Sequence, residues 1–300
     1  MPEHARWALM LHGGAKSIAD SRAEANRAGC LAAAQAGRAV LAAGGSAVEA
    51  VEATIRVLED TPVFNAGYGS VRNADGEVEM DAALMDGETL DLGGVAAIQG
   101  VRHPISVARL MLARKPTLLA GEGARRFAAA QGADLCDPAA MISPEQLASE
   151  AHGTGYDTVG CVALDLNGRL AAGTSTGGLT GKPPGRVGDS PLPGCGLYAE
   201  AGVGAVSLSG EGEAISRTLV AARVMRALET GPPQAAAEAG VARLERVGGE
   251  MGAIVVDPRG RMGWAHNSEH FAVATAASWL PGVRVFLKRG ECNERMDDAE

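Results

Sequence analysis

Residues 158–178, TVGCVALDLNGRLAAGTSTGG, hold two apolar runs joined by the short turn Leu166-Asn167-Gly168. Runs joined so closely pair only as an antiparallel hairpin, because parallel pairing needs a crossover of a dozen or more residues. In the first half, Asp75-Gly76 lies between alternating runs within FNAGYGSVRNADGEVEMDAALMDG, residues 64–87, and predicts another hairpin. Hairpins accompanied by separate helices argue for antiparallel sheets and against a doubly wound parallel sheet.

The rest of the chain fills in around those hairpins. Arg6–Leu11 reads as a buried strand leading into His12-Gly13-Gly14-Ala15. An alanine-rich helical pattern runs from about Arg22 to Ala43 and stops at Gly44-Gly45. Ser46 and Glu49 make a capping box for a second helix reaching about Leu58. Residues 93–100 form a short strand, and Ser106 to about Gln131 is helical with a break at Lys115-Pro116. Ser143, Pro144 and Gln146 start a short helix, and EAHGTGY, residues 150–156, is an exposed connector. Residues 196–210 give two strands, about 213–229 and 234–247 two helices, and 252–257, 261–266 and 270–276 three closing strands. Aromatic residues make up only 3% of the chain, so its apolar layers are built from Ala, Val, Leu and Gly. The expected fold class is α+β: one domain over residues 1–300, a four-layer α-β-β-α sandwich with mainly antiparallel sheets.

A net charge of −9 leaves no electrostatic footprint for nucleic acid or an anionic membrane, so an acidic ligand must be caught by local Arg or Lys. The opening apolar stretch is too short for a secretory signal, and no window reaches the ~20 apolar residues of a membrane span. Five scattered cysteines without a C-x-x-C pair point to free thiols in a reducing cytoplasm.

Several short motifs compete for the chemistry. Gly173-Thr174-Ser175-Thr176-Gly177 fits the serine-hydrolase elbow, with His12-Gly13-Gly14 as an oxyanion loop and Asp257 and His266 or His270 following in triad order. An elbow must turn from strand into helix, whereas GLTGKPPGRVGDSPLPG follows here and its Pro and Gly density opens no helix. His266-Asn267-Ser268-Glu269-His270 matches a zinc pattern that requires a helix, but Asn-Ser between two alternating runs reads as a turn. GGAKS, residues 13–17, lacks the glycine positions of a phosphate loop, and NADGE, residues 73–77, is a turn rather than a calcium loop. Hydroxyls and isolated charges concentrate between Asp157 and Glu213, including Thr158, Thr174, Thr176, Arg186, Asp189, Ser190, Ser207 and Ser209.

DTVGCVALDLNGRLAAGTSTGG, KPPGRVGDSPLPGCGLYA, SGEGE, HGGA and the 64–87 stretch together resemble the plant-type L-asparaginases and isoaspartyl peptidases, a family of N-terminal-nucleophile hydrolases. The likeness runs in family order from about residue 8 to 276, and the α-β-β-α sandwich is also the fold it implies. The resemblance implies self-cleavage between Asp157 and Thr158 into segments 1–157 and 158–300, with Thr158 as the nucleophile. A freed α-amino group, with a reference pKa of about 7.7–8.0, can take the proton of its own hydroxyl. By the same resemblance, Thr176 hydrogen-bonds at the nucleophile, Arg186 clamps the substrate α-carboxylate and Asp189 holds the α-ammonium. Gly210 donates its N–H to the oxyanion with the Ser209 hydroxyl beside it, Gly212 joins the substrate-binding set, and Asn65 lies near the nucleophile.

The resemblance also implies a structural sodium loop at Leu58, Glu59, Thr61, Phe64 and Tyr68, no other cofactor, and a homodimer of processed two-chain protomers. The implied substrates are L-asparagine and β-aspartyl dipeptides. Departures fall at Ser209, where the family usually carries threonine, and at Glu211, which adds a carboxylate close to a pocket that binds carboxylates. Two alternatives stay open: a glycosylasparaginase-type hydrolase, and an amino-acid-binding homologue with little turnover that uses Arg186 and Asp189.

Overall fold

The computed structural model describes residues 6–150 and 157–291, and within them the strands form two sheets. The connector predicted at 150–156 lies outside these residues from position 151 on. The larger sheet is built from β1 (Ala8–Lys16), β2 (Met80–Asp86), β3 (Leu92–Ile98), β4 (Leu118–Ala120), β5 (Val159–Leu164), β6 (Leu170–Thr176), β11 (His270–Ala277) and β12 (Arg284–Phe286). Its strand order is β12-β11-β1-β5-β6-β2-β3-β4, antiparallel except for the β3–β4 pair. The smaller sheet joins β7 (Leu197–Glu200), β8 (Gly204–Gly210), β9 (Met251–Val256) and β10 (Met262–His266) in the order β10-β9-β8-β7.

Helices α1 (Asp20–Ala42) and α2 (Ala47–Asp60) cover one face of the larger sheet. The capping box that starts α2 is present: Glu49 N donates to Ser46 Oγ at 3.2 Å, and Ser46 N donates to Glu49 Oε2 at 2.9 Å. Side chains alternate along β5, so Cys161 and Ala163 join Leu41, Val51 and Ile55 in one apolar cluster. Val162 and Leu164 point the other way and meet Leu197, Ile254 and Trp264 of the smaller sheet. The far face of that sheet offers Val206, Leu208 and Val255 to helices α6 (Gly212–Thr218), α7 (Val220–Leu228) and α8 (Pro233–Glu245). Helices α3 (Pro104–Met111) and α4 (Gly121–Ala130) pack on the β2–β4 end, and α5 (Pro144–Glu150) follows α4 in the chain. The molecule is a mixed α+β structure of two mainly antiparallel sheets packed with helices.

Two sequence expectations are corrected and a third is extended. The turn at Asp75-Gly76 exists, with Gly76 N bonded to Asn73 O, but its flanks are not paired strands. One backbone bond, Asn73 N to Glu77 O, closes the turn, and the neighbouring bonds go to the loop beyond β6, through Ala74 N to Lys182 O and Gly181 N to Arg72 O. The hairpin lies further on, between β2 and β3 across Asp86–Asp91. The 106–131 helical pattern is broken around Lys115-Pro116 as expected, into α3 and α4, but the break also holds the parallel strand β4, which the sequence did not announce. The predicted 213–229 helix is also two, α6 and α7, separated by Leu219 at φ 52°. The break lets Ala221 N and Ala222 N donate to Cys195 O and Gly194 O, satisfying amides that a helix start leaves open.

Candidate active site

Thr158 stands immediately before β5, and the β5–β6 register sets Val159 opposite Ser175 and Gly160 opposite Thr174. Thr174 and Thr176 therefore share one face of β6 and Ser175 takes the other. Ser175 Oγ donates to Glu59 Oε1 at 2.7 Å, within the helix layer. The serine of the apparent elbow thus faces away from Thr158. Thr174 Oγ1 donates to Ser190 O at 2.6 Å, and Ser190 Oγ in turn lies 3.3 Å from Thr158 Oγ1. Thr158, Thr176 and Ser190 line one cleft together with Arg186, Asp189, Gly210 and Gly212.

Arg186 and Asp189 give the cleft opposite charges. The Arg186 fork is held on one edge by Glu213, with Nε–Oε1 at 2.9 Å and Nη2–Oε2 at 2.8 Å. Partial burial works against ionisation of Glu213, yet the bonds from Arg186 and a backbone amide outweigh it and hold its carboxyl below the usual range. Asp189 is 3% exposed, and its Oδ2 has no hydrogen-bond partner among the described residues. Burial pushes the Asp189 carboxyl up to about 7, against the opposing pull of Arg186. A buried, unpartnered carboxylate oxygen next to a guanidinium is an acceptor suited to a cationic group with an acidic neighbour.

Gly210 ends β8 where a Cβ would lie 2.4 Å from Glu250 O, so no larger residue brings the chain this close to β9. Ser209 Oγ accepts from Ala15 N at 3.0 Å, tying the smaller sheet to the end of β1. Asn65 sits one step behind the cleft: its Nδ2 donates to Gly178 O at 2.7 Å and its Oδ1 accepts from Val71 N at 3.0 Å. Gly178 itself lines the cleft and donates to Thr176 Oγ1 at 3.0 Å, so Asn65 and Thr176 hold the same turn. Glu211 is not among the lining residues; the carboxylate that reaches Arg186 is Glu213, two positions on.

The loop after α2 offers oxygen donors of the kind a hard cation takes. A Cβ on Gly67 would lie 2.5 Å from Glu59 O and one on Gly69 1.9 Å from Phe64 O, so these carbonyls face the loop's interior. Leu58 O and Thr61 O accept from Thr61 N and Phe64 N, and Tyr68 lies in the 3₁₀ turn 67–69. The Glu59 carboxylate is engaged elsewhere, with Ser175 and Ile105 N. Burial raises its pKa, and His103 and Ser175 oppose the rise.

The zinc pattern is dissolved by topology: His266 ends β10, His270 begins β11, and residues between them connect the two sheets. Among the described residues no three His, Cys, Asp or Glu side chains cluster as metal ligands. Asp257 pairs with Arg261 at 2.7 Å. His12 faces Ser207 at 2.9 Å, and burial lowers it to about 3 against a smaller upward pull from the Thr158 backbone.

The family model described as asparaginase matches residues 5–150 and 141–279. An isoaspartyl peptidase/L-asparaginase of Danio rerio is 41% identical over 298 residues, covering 94% of this chain and 96% of the relative. An isoaspartyl peptidase of Salmonella typhimurium is 42% identical over 290 residues, covering 87% and 92%. The human isoaspartyl peptidase/L-asparaginase is 42% identical over 268 residues, covering 84% and 87%. The chain belongs to the asparaginase family.

Ser190 of this asparaginase-family cleft, and two residues outside its lining that hold Arg186 and Asp157, carry no role in the sequence reading. Ser190 beside Thr158 and Glu213 on Arg186 were visible only as members of a polar stretch. Lys16, whose Nζ lies 2.5 Å from Asp157 Oδ1, was seen only within a failed phosphate-loop pattern. Its signal in the sequence was an isolated cation directly after an apolar strand.

Proposed function

We propose that this asparaginase-family chain is an N-terminal-threonine hydrolase that cleaves itself at Asp157–Thr158, releases ammonia from L-asparagine and splits β-aspartyl dipeptides. One observation carries the reading: Thr158 opens on the same cleft as Arg186 and the unpartnered oxygen of Asp189. A hydroxyl nucleophile beside one cation and one anion complements a substrate with a free amino-acid head.

In chain cleavage, Thr158 Oγ1 attacks the Asp157 carbonyl carbon, the peptide C–N bond breaks, and the hydroxyl proton passes to the leaving amine. Water then hydrolyses the Asp157–Thr158 ester, leaving a carboxylate on residue 157 and a free α-amine on Thr158. That amine, with a reference pKa of about 7.7–8.0, is the base in turnover. Arg186 binds the substrate α-carboxylate by its remaining donors and Asp189 the α-ammonium, which brings the side-chain carbonyl to Thr158 Oγ1. Gly210 N–H and the Ser209 hydroxyl stabilise the oxyanion, and Gly212 lies against the substrate head. Asn65 and Thr176 keep the Gly178 turn in place. Ammonia, or the amino acid of a dipeptide, leaves with the proton, and water releases aspartate from the ester.

The same reading gives a four-layer α-β-β-α stack, supported by three apolar clusters that fill the successive gaps between helices, sheets and helices. It gives a structural Na⁺ on the Glu59 and Phe64 carbonyls, and a dimer of two-chain protomers. A reducing, cytoplasmic setting is supported by the free thiols of Cys30, Cys136, Cys161 and Cys195. No described helix is long and apolar enough to cross a membrane. Thr158→Ala tests the catalytic reading. Ammonia from L-asparagine and leucine from β-Asp-Leu are both lost if Thr158 attacks, and either activity persisting in the variant overturns it. Aspartate binding without ammonia release from the wild type favours a binding protein instead.

A further inference from the structure

We infer that Lys16 is a positioning residue for chain cleavage: its ion pair with Asp157 fixes the carbonyl that Thr158 attacks. The inference rests on the self-cleavage proposed above. The end of β1 is shaped around the residue before the scissile bond. Its pairing with β11 shifts register between His12 and Ala15, and Gly14 within that bulge has φ +105°. A Cβ on Gly14 would lie 2.8 Å from Asp157 Cα and 3.1 Å from the Asp157 carbonyl carbon. Only glycine lets the strand touch the backbone of that residue. Ala15 N–H, bonded to Ser209 Oγ at 3.0 Å, anchors the same stretch to the smaller sheet.

Lys16 then returns toward Asp157 from the other side of the bulge. It is 8% exposed, with Nζ 2.5 Å from Asp157 Oδ1 and 5.7 Å from the centre of the Phe64 ring. Burial raises the Asp157 carboxyl, and Lys16 supplies the largest opposing pull. Backbone contact at Gly14 and charge contact at Lys16 therefore restrain Asp157 at two points. Attack on a neighbouring carbonyl is governed by how long the reacting atoms stay aligned, and two restraints on the acyl residue supply that alignment. After cleavage, substrate binding and attack draw on Arg186, Asp189, Gly210 and Thr158 rather than on Lys16. The pair thus sets the rate of maturation and leaves the matured site's turnover alone.

The test follows the appearance of the 158–300 segment by intact mass in freshly purified full-length chain. Lys16→Met cleaves about thirtyfold or more slowly than wild type, as expected when the pair and its alignment are lost. Lys16→Arg, which keeps the charge, stays within about fivefold of wild type. Ammonia release per free Thr158 amine remains within about twofold of wild type in every Lys16 variant that matures. Lys16→Met with Asp157→Asn leaves no lone charge, so it folds even where the single variant does not, and it also cleaves slowly. A wild-type cleavage rate in Lys16→Met or in the double variant overturns the inference, as does Lys16→Arg cleaving as slowly as Lys16→Met. Wild type that never cleaves overturns the self-cleavage reading itself.

Discussion

Asp189 is where binding and stability pull in opposite directions, and Asp189→Asn separates them. The folded carboxyl sits at about 7, whereas an unfolded aspartate sits near 3.9. The folded state therefore holds a proton that the unfolded state has lost over this window, so stability falls as pH rises from about 4 to about 7 and is level above. At 1.36 kcal/mol per pKa unit the full loss is ~4 kcal/mol, of which ~3 kcal/mol falls between pH 5 and pH 8. Asparagine has nearly the same shape and no proton to lose. Urea unfolding at pH 5 and pH 8 in a Thr158→Ala background, where the chain stays whole, reads the difference. The stability of Asp189→Asn relative to its parent should rise by ~3 kcal/mol from pH 5 to pH 8. In the active chain the same change should lower kcat/KM for L-asparagine about a hundredfold or more, because the ammonium loses its charged partner. Parallel stability curves for the two proteins would refute the claim that burial strains this carboxylate.

Other outcomes follow from the same geometry. Below pH 7 Asp189 gains its proton, so KM for L-asparagine should climb toward about tenfold per pH unit; steady-state kinetics from pH 5 to pH 8 would show a flat KM if Asp189 does not hold the ammonium. Arg186→Lys should raise KM about tenfold to a hundredfold with a smaller change in kcat, since a point charge cannot hold Glu213 and a substrate carboxylate together; an unchanged KM removes Arg186 from substrate binding. Ser175→Ala should keep kcat/KM within about threefold while costing ~1–3 kcal/mol of stability, because it strips a donor from buried Glu59; loss of activity in a stable variant would revive the serine elbow. Ser46→Ala should cost ~1 kcal/mol in urea unfolding through the α2 cap, without a change in activity.

What the sequence disclosed was mostly local. The capping box at Ser46 and the hairpin around Asn167-Gly168 were readable because neighbouring residues satisfy one another. Asp165 Oδ1, for example, accepts from both Asn167 N and Arg169 N. The serine elbow was excluded locally too, because the Pro- and Gly-rich stretch after Thr176 opens no helix, and Ser175 faces Glu59 on the other side of β6. The errors arose where a distant partner decides. Asp75-Gly76 looked like a hairpin tip because its turn chemistry is right, but beyond the Asn73–Glu77 bond its neighbours bond to the 181–182 loop. The break at Leu219 is set by the carbonyls of Gly194 and Cys195, and β4 exists because the edge of β3 was open to a parallel partner. In the cleft, Thr158, Arg186 and Asp189 came from long motifs in family order. Lys16 and Glu213 matter through contacts across the fold, which no spacing in the chain announces.

In the proposed mechanism Thr158 becomes an N-terminal nucleophile by cutting its own chain. Intact-mass spectrometry of purified wild type alongside Thr158→Ala tests it most directly. Two species are expected in the wild type, residues 1–157 and 158–300, with threonine at the new N-terminus, and a single full-length species in the variant. A wild-type chain that hydrolyses L-asparagine while remaining whole, or a Thr158→Ala chain cut at the same bond, would contradict it.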